Sequence, residues 1–260
     1  MFTDLVVRAE VFLLVFARVF TLLAISPLFS SSGIPGIARV GLAFFTSAAV
    51  FPWASSLYTI PETGLGYAFL LLGEVLVGLI TGFFVLLYFS LFQIAGEFFG
   101  FQMGFNAASV YDPLSQEELP LMGQVMSNVA VLVFLVTGGF LKFFLSGVYY
   151  SIKAFRSADI LVYREDLFDV FLHGLAGIFQ YAFVLALPLI SVLLLVSVSM
   201  GLLGKAAPQM NLLLMGFPIS IGVGFILLLV VLPFVAEMMS RIFDYMFYAL
   251  VELFSPGGGS

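Results

Sequence analysis

The sequence predicts an all-α, polytopic helical membrane protein, and three observations predict it. Of its 260 residues, 62% are hydrophobic and only 9% are charged, with a mean hydropathy of +1.20. A soluble domain carries about 25% charged residues, so no water-facing shell can be built here and the apolar stretches are not a soluble protein's core. Second, Asp, Glu, Lys and Arg are missing from long runs: Val19–Ala38, Val40–Pro61, Val75–Gly96, Leu119–Leu141, Val170–Gly204 and Ala206–Ala236. Roughly 20 apolar residues cross a bilayer as a helix, and each run reaches that length. Third, the alternating ten-residue segments of a membrane barrel do not occur.

Taken in order, Thr3–Ile25 is the first helix and carries Arg8, Glu10 and Arg18. Its start, with Asp4 near Arg8, lacks the basic leader and small-residue cleavage site of a signal peptide. "SPLFSSSGIPG" (Ser26–Gly36) is a break of serines, prolines and glycines. Val40–Val50 is a short apolar segment stopped by Pro52, and a loop with Pro61, Glu62 and Gly64 follows. Tyr67–Gln93 is a long helix that Ile94–Phe105 continues. Asp112–Pro120, with Glu117 and Glu118, interrupts the chain. Leu121–Phe144 is the next helix, and the mixed-charge Ser151–Asp169 is an exposed connector. Gly174–Leu203 and Leu212–Val235 form a hairpin about "GKAAPQMN", and Glu237–Phe254 is an amphipathic end. The tail "SPGGGS" (255–260) has the composition of a flexible linker and is left out of fold reasoning. This divides the chain into residues 1–150, a charged connector 151–169, and the hairpin with its end, 170–254.

Enzymatic chemistry has little to draw on. There is no cysteine, and the one histidine, His173, sits beside the connector and reads as structural. No metal-ligand spacing, nucleophile elbow or phosphate loop is present, so the expectation is a non-enzyme with no cofactor and no metal. A net charge of −6 argues against nucleic acid. Charges inside apolar runs are costly and mark function more often than charges elsewhere; Arg18, Glu74, Glu97 and Lys142 are the candidates. Glu74 and Glu97 each follow a glycine. They read as helix-end or interfacial charges, as an ion relay, or as partners for a basic residue of another subunit.

Glycines recur four apart in "GEVLVGLITG" (Gly73–Gly82) and "GEFFGFQMG" (Gly96–Gly104). In lipid, helices associate through close packing, which small residues permit. Gly78/Gly82 and Gly96/Gly100/Gly104 are therefore expected to be packing stripes. The run of three glycines favours a partner in another subunit. Beyond Gly104, "FNAASVYDPLSQEELPLM" (Phe105–Met122) has no helical period and holds Pro113 and Pro120. Such a backbone is either an ordinary external loop or a segment buried in a pore. In the second case Met103, Phe105 and Tyr111 supply an apolar obstruction, and Asn106, Ser109 and Asp112 bond to backbone or water.

Four stretches carry a family resemblance. They are "RVFTLLAISPLFSSSGIPGIARVGLA" (Arg18–Ala43), "LLGEVLVGLITGF" (Leu71–Phe83), "AGEFFGFQMGFNAASVYDP" (Ala95–Pro113) and "ALPLISVLLLVSVSMGLLGKAAPQMNLLLMGFPISIGVG" (Ala186–Gly224). In this order they resemble the FliR family of the type III protein-export apparatus. A departure stands at Thr137-Gly138-Gly139-Phe140, where the family often has Asn-Gly-His.

The resemblance implies a core subunit of the flagellar export gate in the bacterial inner membrane, within the flagellar basal body. It would join FliP-like and FliQ-like subunits to pass unfolded flagellar proteins, in contact with lipid and with FlhB-like and FlhA-like components. A FliP-like part (1–150) would be joined to a FliQ-like hairpin (170–254). The resemblance also implies a pore plug at Gln102, Met103 and Gly104 followed by the stretch to Met122. A hairpin tip at Lys205, Pro208, Gln209 and Asn211 would meet the FlhB-like subunit. Energy would come from other parts of the machine. The virulence injectisome homologue has the same architecture. A stand-alone secondary transporter predicts similar, inverted halves, and these halves differ.

Overall fold

The computed structural model describes residues 2–30, 34–104, 121–154, 164–207 and 212–254. Its elements are helices: α1 (Phe2–Ile25), α2 (Pro27–Ser30), α3 (Gly36–Ala54), α4 (Gly64–Met103), α5 (Leu121–Val136), α6 (Gly139–Phe143), a π-helical stretch Phe144–Tyr150, α7 (Ser151–Ala154), α8 (Arg164–Ala206) and α9 (Leu212–Leu253). No strand occurs among the described residues. Four helices are long and apolar enough to cross a membrane: Gly36–Ala54, Gly64–Met103, Leu172–Ala206 and Met215–Leu253. A fifth span results if α5 and the segment Gly139–Lys153 count together. The chain is thus a multi-pass helical membrane protein, as its composition predicts.

Several boundaries differ from the sequence expectation. Helix α3 continues through Pro52 to Ala54. The proline lies two residues before the helix end, and the Ser55 N–H closes the last turn on the Phe51 carbonyl at 2.9 Å. The helix expected over Leu121–Phe144 is broken at Gly138, whose φ of 72° is left-handed and open to glycine at no steric cost. The Thr137 N–H still bonds back to the Val133 carbonyl, and the Leu141 N–H starts afresh on the Gly138 carbonyl. Helix α8 begins at Arg164, so part of the charged connector forms its first turns. Helix α9 runs without interruption from the hairpin arm into the amphipathic end and contains Pro218 and Pro233.

Contacts group the chain into two compact units, and each draws on both the first and the second half of the sequence. One comprises Met1–Tyr88, Gly138–Leu175 and Phe243–Ser260; the other comprises Phe89–Thr137 and Ala176–Ile242. In the first, Leu14, Leu22, Leu23, Phe84, Phe143 and Leu250 are buried. Phe12 of α1 meets Phe44 and Phe51 of α3 edge-on, with ring centroids 5.3 and 5.8 Å apart. In the second, Phe92, Phe99, Met126, Phe134 and Leu189 form the interior. Phe89 of α4 meets Phe134 of α5 at 5.5 Å.

Candidate functional site

The first unit holds a buried ionic cluster. Arg18 of α1 and Glu74 of α4 are 2% and 0% exposed. The Arg18 Nε donates to Glu74 Oε2 at 2.5 Å, and its Nη1 donates to the Ser151 carbonyl at 2.6 Å. The Tyr58 hydroxyl donates to the same Oε2 at 3.0 Å. Burial pushes the Tyr58 pKa up; nearby Arg18 lowers it and Glu74 raises it, with a net rise that keeps the phenol a donor. Glu74 Oε1 is buried and accepts no hydrogen bond among the described residues.

Of the three readings open for Glu74, the helix-end charge is corrected: it lies well inside α4, and its cation comes from the same chain. Arg18 and Glu74 were each legible as charges in apolar runs. Their pairing was not, because 56 residues separate them. Tyr58 and Ser151 were missed; a tyrosine after a helix end and a backbone carbonyl leave no mark in sequence. Chemically the cluster is a clasp. It fixes α1, the connection after α3, α4 and the start of α7 to one point. Lys142 differs, pairing with Asp244 at 2.5 Å where both side chains are largely in the open. Such a pair contributes little, about 0–1 kcal/mol. His173 is exposed on α8.

Each glycine stripe has its neighbour within the chain. A Cβ on Gly78 would collide with the Arg18 carbonyl and the Thr21 hydroxyl, and one on Gly82 would come 2.9 Å from the Leu22 carbonyl. Helix α1 thus lies directly on α4 at these two positions. In the second unit a Cβ on Gly96 would strike the Met122 carbonyl and come 2.7 Å from the Gly123 Cα. One on Gly100 would lie 2.8 Å from the Met122 side chain. The expected intersubunit partner is therefore corrected: the start of α5 fills that space, and Met122 is buried in it. The three-glycine spacing is explained by a different role for its last member. Gly104 ends α4 with a φ of 86°, and a Cβ there would lie 2.5 Å from the Phe217 ring.

Past that turn the second unit holds a cleft of about 430 Å3, lined among others by Gln102, Gly104, Ser197, Met200 and Phe217. The Gln102 amide reaches the Ser197 hydroxyl at 3.4 Å. Met103 is fully buried and packs where a Cβ on Gly224 would be, 2.6 Å from its methyl. Its bulk fills the unit's interior. Phe105, Asn106, Ser109, Tyr111, Asp112 and Pro113 lie outside the described residues, as do Pro208, Gln209 and Asn211. Lys205 is exposed on the last turn of α8.

Residues 9–246 match the family described as bacterial export proteins, family 1. Among curated proteins, the chain is similar to the flagellar biosynthetic protein FliR of Bacillus subtilis, 32% identical over 238 residues and 90% of each chain. The protein of that name from Borreliella burgdorferi is 31% identical over 241 residues, 92% of this chain and 89% of the relative. That of Escherichia coli K12 is 29% identical over 244 residues, 92% and 90%.

Proposed function

The chain belongs to the FliR family of bacterial export proteins, and from that premise we propose that it is a non-enzymatic core subunit of the flagellar type III export gate. The observation that carries this reading is similarity along almost the whole chain, over residues 9–246, to export proteins whose relatives are named for flagellar biosynthesis. In this reading FliP-like and FliQ-like subunits complete a channel in the bacterial inner membrane for unfolded flagellar proteins. Residues 1–150 stand for the FliP-like part and 170–254 for the FliQ-like hairpin. The stretch that follows Gln102, Met103 and Gly104 is the plug, and the tip around Lys205 is the contact for an FlhB-like component.

Helix length supports the assembly. Helices α4, α8 and α9 count 40, 43 and 42 residues. A 40-residue helix is about 60 Å long at 1.5 Å per residue, twice a hydrocarbon core of about 30 Å. On α8, large apolar side chains are exposed from Phe179 to Leu203, a span of about 36 Å. Lipid alone does not cover such lengths without strong tilt; neighbouring helices of other subunits do.

The test is co-expression with FliP-like and FliQ-like subunits, followed by purification through a tag on this chain and imaging. The expected result is one complex containing all three proteins. A chain that purifies as a monodisperse monomer, with neither partner bound, overturns the reading.

A further inference from the structure

The two Gly-Glu motifs of α4 meet different fates. Glu74 is buried with Arg18, whereas Glu97 is half-buried and open to its surroundings in the second unit. Among the described residues its one hydrogen bond comes from the Gln93 amide at 3.1 Å, and no ion pair reaches it. A carboxylate offers about four acceptor sites, so most of its capacity is unused. It stands in a helix apolar enough to cross a membrane, where a lone charge is costly and is kept when something pairs with it or hydrates it.

Glu97 does not stand alone. A Cβ on Gly123 would lie 2.9 Å from the Gln93 Cγ and 3.1 Å from the Glu97 Cγ. Both side chains therefore run along the crossing of α4 and α5. The next residue on α5, Gln124, donates from its amide to Asn128 at 3.2 Å. Gln93, Gln124 and Asn128 are exposed. Gln93 and Glu97 thus lie at the crossing itself, and the exposed pair Gln124 and Asn128 follows on α5, beginning one residue beyond it.

Among the described residues, five of the chain's nine basic side chains are engaged elsewhere. Arg18 is held by Glu74, Lys142 by Asp244 and Arg241 by Glu237. Arg39 donates to the Phe29 carbonyl, and Lys153 lies over the Tyr149 ring. The chain as a whole carries a net charge of −6. We propose that the polar seam of Gln93, Glu97, Gln124 and Asn128 is an interaction surface for a membrane helix of another subunit bearing a Lys or Arg, which pairs with Glu97 while the amides bond to polar groups around it. Charge complementarity selects this occupant: the seam offers negative charge and amide groups in apolar surroundings, where a hydrogen-bonded cation is worth most. The inference rests on the assembly reading given above.

The absence of cysteine from the chain makes the test clean. In the co-expressed complex, Glu97→Gln keeps the shape and removes the charge. The expected result is a yield of assembled complex lower by at least about tenfold, since removing one member of a desolvated pair leaves the other unpaired. The same variant purified alone should behave as wild type. Independently, Gln124→Cys should react with a water-soluble maleimide in the chain alone and be protected at least about tenfold in the complex, because a packed helix excludes the reagent. Full yield of the Glu97→Gln complex overturns the inference and leaves the assembly reading standing. So does undiminished labelling of Gln124→Cys in the complex, which would mark a water-filled passage instead. If the wild-type chain assembles with no partner at all, both readings fall.

Discussion

Helix α4 carries the same short motif twice, and the two copies behave differently. At Gly73-Glu74 the carboxylate is fully buried, held by Arg18 and Tyr58, with Gly78 and Gly82 seating α1 just beyond it. At Gly96-Glu97 the glycines seat α5, but the carboxylate has only a neighbouring amide. The glycines act alike because close backbone approach depends only on a missing Cβ. The glutamates differ because a charge needs a partner, and among the described residues Glu74 has a cation and Glu97 has none. Local sequence thus fixes where helices can cross; tertiary context decides what each charge is for.

The comparison can be broken most forcefully at the first copy. Arg18→Ala leaves Glu74 buried and unpaired, and the expected loss of stability is about 3–5 kcal/mol, read from unfolding of the purified chain in detergent. The double variant Arg18→Met with Glu74→Leu should recover most of that loss, since apolar residues of similar volume replace buried pairs at little cost. If the double variant is as unstable as the single one, the cluster has a role other than mutual neutralisation.

The glycines sharpen the parallel. Gly78→Leu and Gly96→Leu both force a side chain into neighbouring backbone, and each should destabilise the chain alone by about 1–3 kcal/mol or more. An effect of Gly96→Leu on assembly only, with the lone chain unharmed, would return that stripe to an intersubunit role. Gly104→Ala should cost about 1–3 kcal/mol, from its positive φ and the Phe217 ring together. The smallest effect is expected at Gly222, inside α9, where a Cβ meets nothing within 4 Å. Gly222→Ala should stabilise the lone chain by up to about 1 kcal/mol through helix propensity, a control measurable in the same unfolding experiment.

Much of the helical fold is legible in the sequence because apolar runs free of charge are long and their ends are marked by proline and glycine. Helix α1 ends at Ile25, and α4 reaches Met103. Pro52 looks like a stop, and α3 ends two residues after it, at Ala54. What escaped depended on tertiary context. Gly138 falls inside Leu121–Phe144, which the sequence predicts as one helix, and its positive φ breaks that helix. At the candidate sites, Gln102, Met103 and Gly104 were marked by motif. That Met103 is spent on packing against Gly224 depends on α9, far along the chain. The charges of Arg18 and Glu74 were visible one by one; their union needed the fold.

The most direct measurement crosses the two glutamates with two readouts. Glu74→Gln and Glu97→Gln are each purified alone, to read thermal unfolding, and co-expressed with FliP-like and FliQ-like subunits, to read the yield of complex. The predicted pattern is divided: Glu74→Gln unfolds markedly earlier as a lone chain because the Arg18 charge is stranded, whereas Glu97→Gln unfolds like wild type and fails to assemble. Wild-type unfolding of Glu74→Gln, or equal loss of lone-chain stability in both variants, would contradict the division of one charge for the fold and one for the partner.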